Sequence, residues 1–213
     1  MTDYILYPGD TATVAAAPVP VQLPVETFEI IDRIAEFDKI VNTKPFHRDF
    51  INSFGELSTT WPMRKEVTGV TIHHTLSHSP TATAGYIVRS KGYPSSQYSY
   101  WVSADDGCPV YQCLRDSVAC WHDHTGRLQT AMSIGMAGSL HVVKPSFEQM
   151  EACAKLCRVL MKRYGFGVDQ VKGHNDRAKL AGVSTVCPGW DAAHWRGEFY
   201  AILTGDAGEI LWG

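Results

Sequence analysis

Histidine and cysteine residues lie at positions in the sequence where a strand or another structural element is expected to end. His73 and His74 come directly after the β-branched stretch 67–72. His174 follows a second short apolar stretch, and Cys187 lies thirteen residues beyond it. A catalytic zinc site uses three protein ligands, commonly imidazole nitrogen and thiolate sulfur, and keeps its fourth position open. These residue types fit such a site, although the more specific CxxC and HExxH spacings do not occur in the sequence.

The remaining cysteines are expected to be reduced thiols. A chain of 213 residues can bury a core without a disulfide framework, and five of its six cysteines remain if Cys187 binds a metal. Cys153 and Cys157 are four residues apart in a helical pattern, so they share a helix face. They fit either a metal pair or two buried small side chains, and we favour burial.

The composition is that of a soluble globular protein. Hydrophobic residues make up 45% and charged residues 19%, and the formal net charge is −3. A nucleic-acid-binding protein would show a basic face, so we expect no nucleic-acid partner. The first residues lack the basic and apolar regions of a secretory signal, and the apolar stretch 13–24 is interrupted by prolines. We therefore expect synthesis in the cytoplasm and no membrane insertion.

The pattern of strands and helices indicates an α/β domain around one sheet. Asp105 to Gly107 form a hairpin turn signal between two strand patterns. A short strand or turn is expected at 169–174. The other predicted strands lie at 67–72, 98–103, 110–114 and 131–137, and the predicted helices lie at 81–91, 146–164 and 191–203.

The N-terminal part has a different character. Residues 1–24 are rich in Pro, Ala, Val and Thr, which is typical of a flexible arm or an extended strap. Residues 25–41 place apolar side chains at three-residue spacing, which predicts an amphipathic helix that packs onto the domain. The apolar positions are Phe28, Ile31, Ile34, Phe37 and Ile40.

Six short segments together resemble type 2 N-acetylmuramoyl-L-alanine amidases and peptidoglycan-recognition proteins. Each segment alone is a weak signal, but all six occur in the family's order along the chain. They are VTGVTIHHT from Val67, Tyr98-Ser99-Tyr100 before an Asp-Gly hairpin, Ala119-Cys120-Trp121-His122, Ser133-Ile134-Gly135-Met136, Lys172-Gly173-His174-Asn175-Asp176 and Thr185-Val186-Cys187-Pro188-Gly189.

The resemblance covers about residues 67–203 and implies the fold. We expect a single amidase domain over residues 67–213, with a central mixed β-sheet flanked by helices. Residues 1–66 then form an N-terminal extension.

The resemblance also implies a ligand set for Zn²⁺, consisting of His73, His174 and Cys187. Adjacent strand residues point to opposite faces, so His73 and His74 are alternative ligands. The family pattern favours His73 and leaves His74 near the substrate.

Further roles follow from the same resemblance. Tyr98 and Thr185 are expected to be catalytic and to stabilise the reacting amide. Trp121 and His122 are expected to line the substrate groove together with His74.

Two positions depart from the family pattern. Many relatives have a glutamate two residues after the glycine of the Ser-Ile-Gly segment, where this chain has Ala137. The expected mechanism is therefore the one that uses a tyrosine. The hairpin after Tyr98 has one residue more than usual, which leaves Ser99 as an alternative occupant of the catalytic position.

The implied function is hydrolysis of the amide bond between N-acetylmuramic acid and L-alanine in bacterial peptidoglycan. A monomeric bacteriolytic phage endolysin, released to the cell wall after synthesis, is the expected setting. A cytosolic recycling amidase is an alternative. Two further alternatives are a non-catalytic peptidoglycan-binding protein and a structural zinc site, closed by His122 or His124 as a fourth ligand.

Overall fold

The computed structural model describes residues 28–43, 60–124, 130–190 and 195–205 and shows one six-stranded mixed sheet. The strand order is β1-β4-β3-β5-β2-β6. The β3–β4 pair is antiparallel, and the other neighbouring strands in the sheet are parallel. The strands are β1 (Ile30–Asp32), β2 (Gly69–His74), β3 (Tyr100–Val102), β4 (Val110–Gln112), β5 (Ala131–Met136) and β6 (Val171–Gly173).

The helices lie beside this sheet, and the expected α/β class is confirmed. They are α1 (Ile34–Phe37), α2 (Pro80–Lys91), α3 (Phe147–Tyr164), α4 (His174–Leu180) and α5 (Arg196–Thr204). No helix in the described ranges is both long and apolar enough to cross a membrane.

The neighbouring inner strands β2 and β5 are buried along their whole length. Such burial on both faces is typical of parallel strands that are covered by helices. Because β2 pairs in parallel with both β5 and β6, the carboxyl ends of these strands meet at one edge of the sheet.

Helix α3 provides most of the apolar cover on one face. The Ser146 hydroxyl accepts a hydrogen bond from the Gln149 N–H at 3.1 Å, and Gly165 ends the helix in a left-handed conformation. Cys153 and Cys157 lie on this helix and are fully buried in the main core, as the preferred interpretation of their spacing predicted. All six cysteines are buried free thiols, as expected.

The prediction of one helix over residues 25–41 is wrong for the part that the structure describes. Residues 30–32 form the edge strand β1, and only the four residues of α1 are helical. The open edge of β4 hydrogen-bonds with β1, and the β-branched Ile30 and Ile31 suit a strand. The Asp32 carboxylate then accepts a hydrogen bond from the Ile34 N–H at 2.8 Å, which starts a new helical turn.

The segment that contains β1 and α1 also contacts the loop that follows α2. The Asn42 side chain donates to the Gly92 carbonyl at 2.8 Å, and the Asn42 N–H donates to the Pro94 carbonyl at 2.9 Å. These two bonds fix the backbone of the residues immediately before and after Tyr93. The boundary at residues 66 and 67 stays a prediction, although β1 on its N-terminal side belongs to the sheet.

The stretch 169–174 was expected to be a short strand or turn and contains more structure. A 3₁₀ helix at Val168–Gln170 leads into β6, and α4 begins directly at His174. The Asp176 carboxylate accepts a hydrogen bond from the Gly173 N–H at 3.0 Å, which favours a helix start at this point.

Gly173 allows the end of β6 to pack tightly against a later loop. A Cβ atom at this position would lie 2.7 Å from a ring carbon of Trp190 and 2.8 Å from Cδ of Pro188. Both distances are far shorter than an ordinary van der Waals contact, so the glycine is needed for the close approach of the two segments.

We predict that Gly173→Ala lowers the free energy of unfolding by about 1–3 kcal/mol, because the added methyl group overpacks this contact. Urea denaturation measures the change. Gly197→Ala is the matched control, since a Cβ at Gly197 within α5 meets nothing within 4 Å. That substitution should raise the free energy of unfolding by about 0.5–1 kcal/mol. Equal effects of the two substitutions would contradict the packing argument.

Candidate active site

Three potential metal ligands meet where β2 and β6 end. Ile72 pairs with Gly173 across the two strands, so the residues that follow them, His73 and His174, are neighbours. Cys187 arrives from the loop after α4. One nitrogen of each imidazole and the Cys187 sulfur lie within 4.8 Å of one another. The structure thus brings together the three residues expected to bind Zn²⁺.

Backbone and side-chain contacts fix Cys187 on both sides. The His74 N–H points at Cys187 Sγ at 3.3 Å, and Thr185 Oγ1 accepts a hydrogen bond from the Cys187 N–H at 3.2 Å. The Asn175 N–H, at the start of α4, donates to the Cys187 carbonyl at 2.6 Å. The loop that carries the thiol is therefore attached both to β2 and to the helix that carries His174.

A short chain of hydrogen bonds sets the orientation of the His73 ring. His122 Nε2 lies 3.1 Å from the carbonyl oxygen of Ala131, which can only accept, so this nitrogen carries the proton. In a neutral His122 the Nδ1 atom is then an acceptor, and it lies 3.1 Å from His73 Nε2. His73 must donate from Nε2, which leaves the lone pair of its Nδ1 directed toward Cys187 Sγ, 3.7 Å away.

Burial keeps these histidines neutral. Desolvation lowers the pKa of His73 well below its usual value, with a further effect from the neighbouring His174, and it also lowers the pKa of His122. Burial together with His122 lowers the pKa of His174 to about 4. At neutral pH the site therefore offers uncharged imidazoles, the form that binds metal ions.

The effect of burial on the pKa of the Cys187 thiol is opposite to its effect on the histidines. Burial raises its pKa to about 12, although the hydrogen bond from the His74 backbone partly opposes this shift. Burial therefore favours the protonated thiol until a cation is bound.

His174 supplies the most direct sign that the residues present fit a metal ion. Its Nε2 atom is buried and makes no hydrogen bond with any described residue. A buried nitrogen without a partner is costly, and ligation to a cation would satisfy it. Both ring nitrogens of His122 face protein atoms, so this residue does not complete a four-ligand site.

A cavity of about 300 Å³ opens above the three ligands. Every residue proposed from the sequence for metal binding, catalysis or substrate binding lines it. The lining residues are His73, His74, Thr75, Leu76, Tyr93, Gln97, Tyr98, Trp121, His122, His124, His174, Thr185 and Cys187.

Tyr98, and not Ser99, faces this cavity. The ring centroids of Tyr98 and His73 are 5.8 Å apart, and a Cβ atom at Gly135 would lie 3.0 Å from the Tyr98 ring. Glycine in the Ser-Ile-Gly segment therefore makes room for the tyrosine. Ser99 is fully buried and its N–H donates to the Ser133 carbonyl.

Tyr98 and Thr185 both line the cavity, and each carries a hydroxyl group. Burial raises the pKa of Tyr98 far above its usual value, and the nearby Cys187 contributes in the same direction. Thr185 Oγ1 already accepts a hydrogen bond from the backbone, which leaves its own hydrogen available for a ligand.

The three residues expected to contact substrate differ in their surroundings. Trp121 lies between Tyr93 and His124, with ring centroids 6.2 and 5.5 Å away. His74 Nδ1 lies 3.3 Å from His141 Nδ1, and burial lowers the pKa of His74 to about 4. Their substrate roles, and that of His122, stay predictions.

Several residues of the site were not identified from the sequence. Tyr93 and Gln97 lie in a loop with no motif, and the Gln97 side chain donates to the Trp121 carbonyl at 2.9 Å. His124 was considered only as a fourth ligand, but its ring stacks on His174 with centroids 5.3 Å apart. Proximity to the Ala-Cys-Trp-His segment was the one signal that could have identified it.

The position where many relatives have a glutamate offers no carboxylate. Ala137 is buried in a small cluster with Phe37, Ala84 and Trp101. Its carbonyl accepts a hydrogen bond from the Gln149 side chain at 3.0 Å. The surroundings of Ala137 are thus those of a core residue.

Solved structures with this fold include an amidase, an endolysin and a peptidoglycan recognition protein. The Clostridium intestinale URNW amidase LysC superposes with a TM-score of 0.56 at 21% identity, over 83% of this chain and 98% of that one. The Ph2119 endolysin from a Thermus scotoductus bacteriophage gives 0.56 at 16% identity, over 82% and 99%. Drosophila peptidoglycan recognition protein SD gives 0.54 at 15% identity, over 76% and 89%.

No curated protein sequence matches the chain. Residues 63–190, by contrast, match the sequence profile of the Amidase_2 family, described as N-acetylmuramoyl-L-alanine amidase. The match spans more than half of the 213 residues and includes all three potential metal ligands. The resemblance recognised in the six sequence segments is thus confirmed, and the chain belongs to the N-acetylmuramoyl-L-alanine amidase family.

Proposed function

We propose that this protein is a zinc-dependent hydrolase that cleaves the amide bond between N-acetylmuramic acid and L-alanine in bacterial peptidoglycan. The observation that carries the proposal is the convergence of His73, His174 and Cys187 at the base of an open cavity, with His174 Nε2 buried and unpaired. Membership of the amidase family supports the choice of substrate.

His73 would bind the ion through Nδ1, His174 through Nε2 and Cys187 through its sulfur. A bound zinc ion supplies Lewis-acid chemistry and lowers the pKa of water, which suits the hydrolysis of an amide. His122 holds the ring of His73 in the ligating orientation by accepting its Nε2 proton.

Tyr98 and Thr185 are placed to stabilise the charge that develops on the amide oxygen. Both line the cavity, and both carry a hydroxyl group that can donate a hydrogen bond. Donors that are fixed in a partly buried site stabilise a growing negative charge more strongly than water does. This assignment gives the tyrosine the part that the carboxylate plays in relatives with glutamate at the position of Ala137.

The aromatic row Tyr93–Trp121–His124 forms one wall of the cavity and offers apolar surface to the glycan or the stem peptide. Similarity to the fold of a bacteriophage endolysin supports lysis of the cell wall as the biological setting. We therefore place this chain among the phage endolysins, acting on the wall after release from the cytoplasm.

The thiol is the decisive ligand to remove. In Cys187→Ala we expect zinc content to fall from about one ion per chain to near zero and the rate of wall lysis to fall by more than ~10²-fold. Mutation of even an indirect partner of a metal ligand lowers metal affinity or activity about 10–100-fold, so loss of a ligand itself should have a larger effect. Elemental analysis and the turbidity of purified bacterial walls measure the two effects.

Cys153→Ala is the matched control, because Cys153 is an equally buried thiol on α3 outside the cavity. It should retain both zinc and lysis. A zinc-free Cys187→Ala protein that lyses walls normally would rule out the proposed function. A wild-type protein that binds zinc and walls without cutting them would instead support a peptidoglycan-binding protein.

Removing the Tyr98 hydroxyl tests its catalytic role. In Tyr98→Phe we expect bound zinc to be unchanged and the rate of wall hydrolysis to fall by ~10²–10³-fold, the usual effect of losing one such donor. Release of peptide amino groups from purified walls measures the rate. Tyr86→Phe, at a half-exposed position on α2, should be unaffected. Unchanged turnover in Tyr98→Phe would exclude the hydroxyl from catalysis.

Zinc affinity should rise with pH. Without metal the Cys187 pKa is about 12, so binding must displace one proton from the thiol at neutral pH. The fraction of thiolate, and with it the apparent affinity, should increase about tenfold per pH unit between pH 6 and 8. Competition with a chromophoric chelator measures it. An affinity that does not vary with pH would mean that Cys187 is not a ligand.

A further inference from the structure

A buried carboxylate lies behind the cavity and contributes nothing to its surface. Asp123 follows His122 directly and is fully buried. Its Oδ2 atom accepts a hydrogen bond from the Thr71 hydroxyl at 2.8 Å and lies 3.6 Å from Arg177 Nε. A buried carboxylate is costly unless it is paired, so these contacts are needed to keep it inside the protein.

Each of the two partners of Asp123 lies on the same element as a histidine of the site, two or three residues away in sequence. Thr71 is two residues before His73, and alternate residues of a strand share one face. Arg177 is three residues after His174, and residues three apart in a helix are neighbours on one side. One carboxylate therefore connects β2, α4 and the loop of His122, which are the three elements that carry the histidines.

Arg177 extends the connection to the strands themselves. Its Nη2 atom donates to the carbonyl of Gln170 at 3.1 Å and lies 3.4 Å from the carbonyl of Val70. A Cβ atom at Gly69 would lie 2.9 Å from the same nitrogen. The guanidinium thus links the beginning of β2 with the residue before β6, and Asp123 is the acidic side chain that neutralises it there.

We propose that Asp123, with Thr71 and Arg177, is a positioning cluster that sets the spacing of His73, His122 and His174 for metal binding. The proposal rests on the proposed zinc site. Asp123 does not line the cavity and is not a proposed ligand, so its effect on the metal site is transmitted through the three elements that it holds together and through the His122 ring, whose Nδ1 lies 3.8 Å from Asp123 Oδ2.

Loss of the Asp123 charge should weaken the contacts among β2, α4 and the loop of His122 without removing a proposed metal ligand. Asp123→Asn keeps the size of the side chain but leaves the Arg177 guanidinium buried beside a neutral amide. The guanidinium would then shift toward water and take α4 with it. Because His174 is the first residue of α4, its nitrogen would move relative to His73 and Cys187.

The test is the zinc dissociation constant of the full-length protein, measured by competition with a chromophoric chelator. We expect it to rise 10–100-fold in Asp123→Asn, the usual range for indirect partners of metal ligands. The d–d absorption bands of the Co²⁺-substituted protein should also change, since they report ligand geometry. Thr71→Val should shift both measurements in the same direction, and Thr71→Ser, which retains the hydroxyl, should restore them to wild-type values.

Asp116→Asn is the matched control. The Asp116 carboxylate accepts hydrogen bonds from the hydroxyls of Tyr100 and Tyr164 and from Arg163, and none of these residues adjoins a proposed ligand. Asp116→Asn should lower the free energy of unfolding of the zinc-free protein and leave zinc affinity unchanged.

Wild-type zinc affinity in both Asp123→Asn and Thr71→Val would overturn the proposal. So would an equal loss of affinity in Asp116→Asn, because the effect would then be one of general stability. If Asp123→Asn does not fold, the comparison of Thr71→Val with Thr71→Ser decides. A wild-type protein without zinc affinity would instead refute the proposed function.

Discussion

The parallel pairing of β2 with β5 and with β6 is the constraint on which the site depends. It places His73 beside Gly135 and next to the start of α4, so three chain segments distant in sequence end at one edge of the sheet. Once this register is set, the glycine opposite His73 gives space for the Tyr98 ring, and the tight contact of Gly173 with Pro188 brings the cysteine loop to the histidines. A shift of one residue would turn His73 to the other face of the sheet.

Within that frame, a single backbone carbonyl determines which nitrogen can bind a metal. The Ala131 oxygen fixes the proton of His122, and His122 in turn fixes that of His73. Both imidazoles are kept neutral by burial, so the two rings are ready for a cation without a change in their own charge. Asp123 is the next layer outward: it holds together the elements that carry the rings and lies 3.8 Å from Nδ1 of His122.

The sequence was sufficient where local pattern and tertiary structure agree. Helix α3 and the strands β2 and β5 follow from periodicity, and the three potential metal ligands follow from the resemblance of short motifs to the family. The 25–41 segment was misjudged because isoleucine spacing fits a helix, while the unpaired edge of β4 favours a strand. Asp123 was missed because its contacts with Thr71 and Arg177 join residues far apart in sequence, for which no spacing rule exists. Helix α4 was missed although it begins with a local hydrogen bond between Gly173 and Asp176, because it is short and follows β6 without a break.

The edge strand β1 has a practical consequence for any attempt to isolate the catalytic part. The match to the family begins at residue 63, whereas β1 lies well before it and covers the outer edge of β4. A fragment trimmed to the matched region would expose the backbone N–H and C=O groups of that edge, which are a template for pairing between molecules. It would also lose Asn42, and with it the support on both sides of Tyr93. Such a fragment should be prone to self-association and should hold Tyr93 less firmly at the cavity, even though all three potential metal ligands are retained.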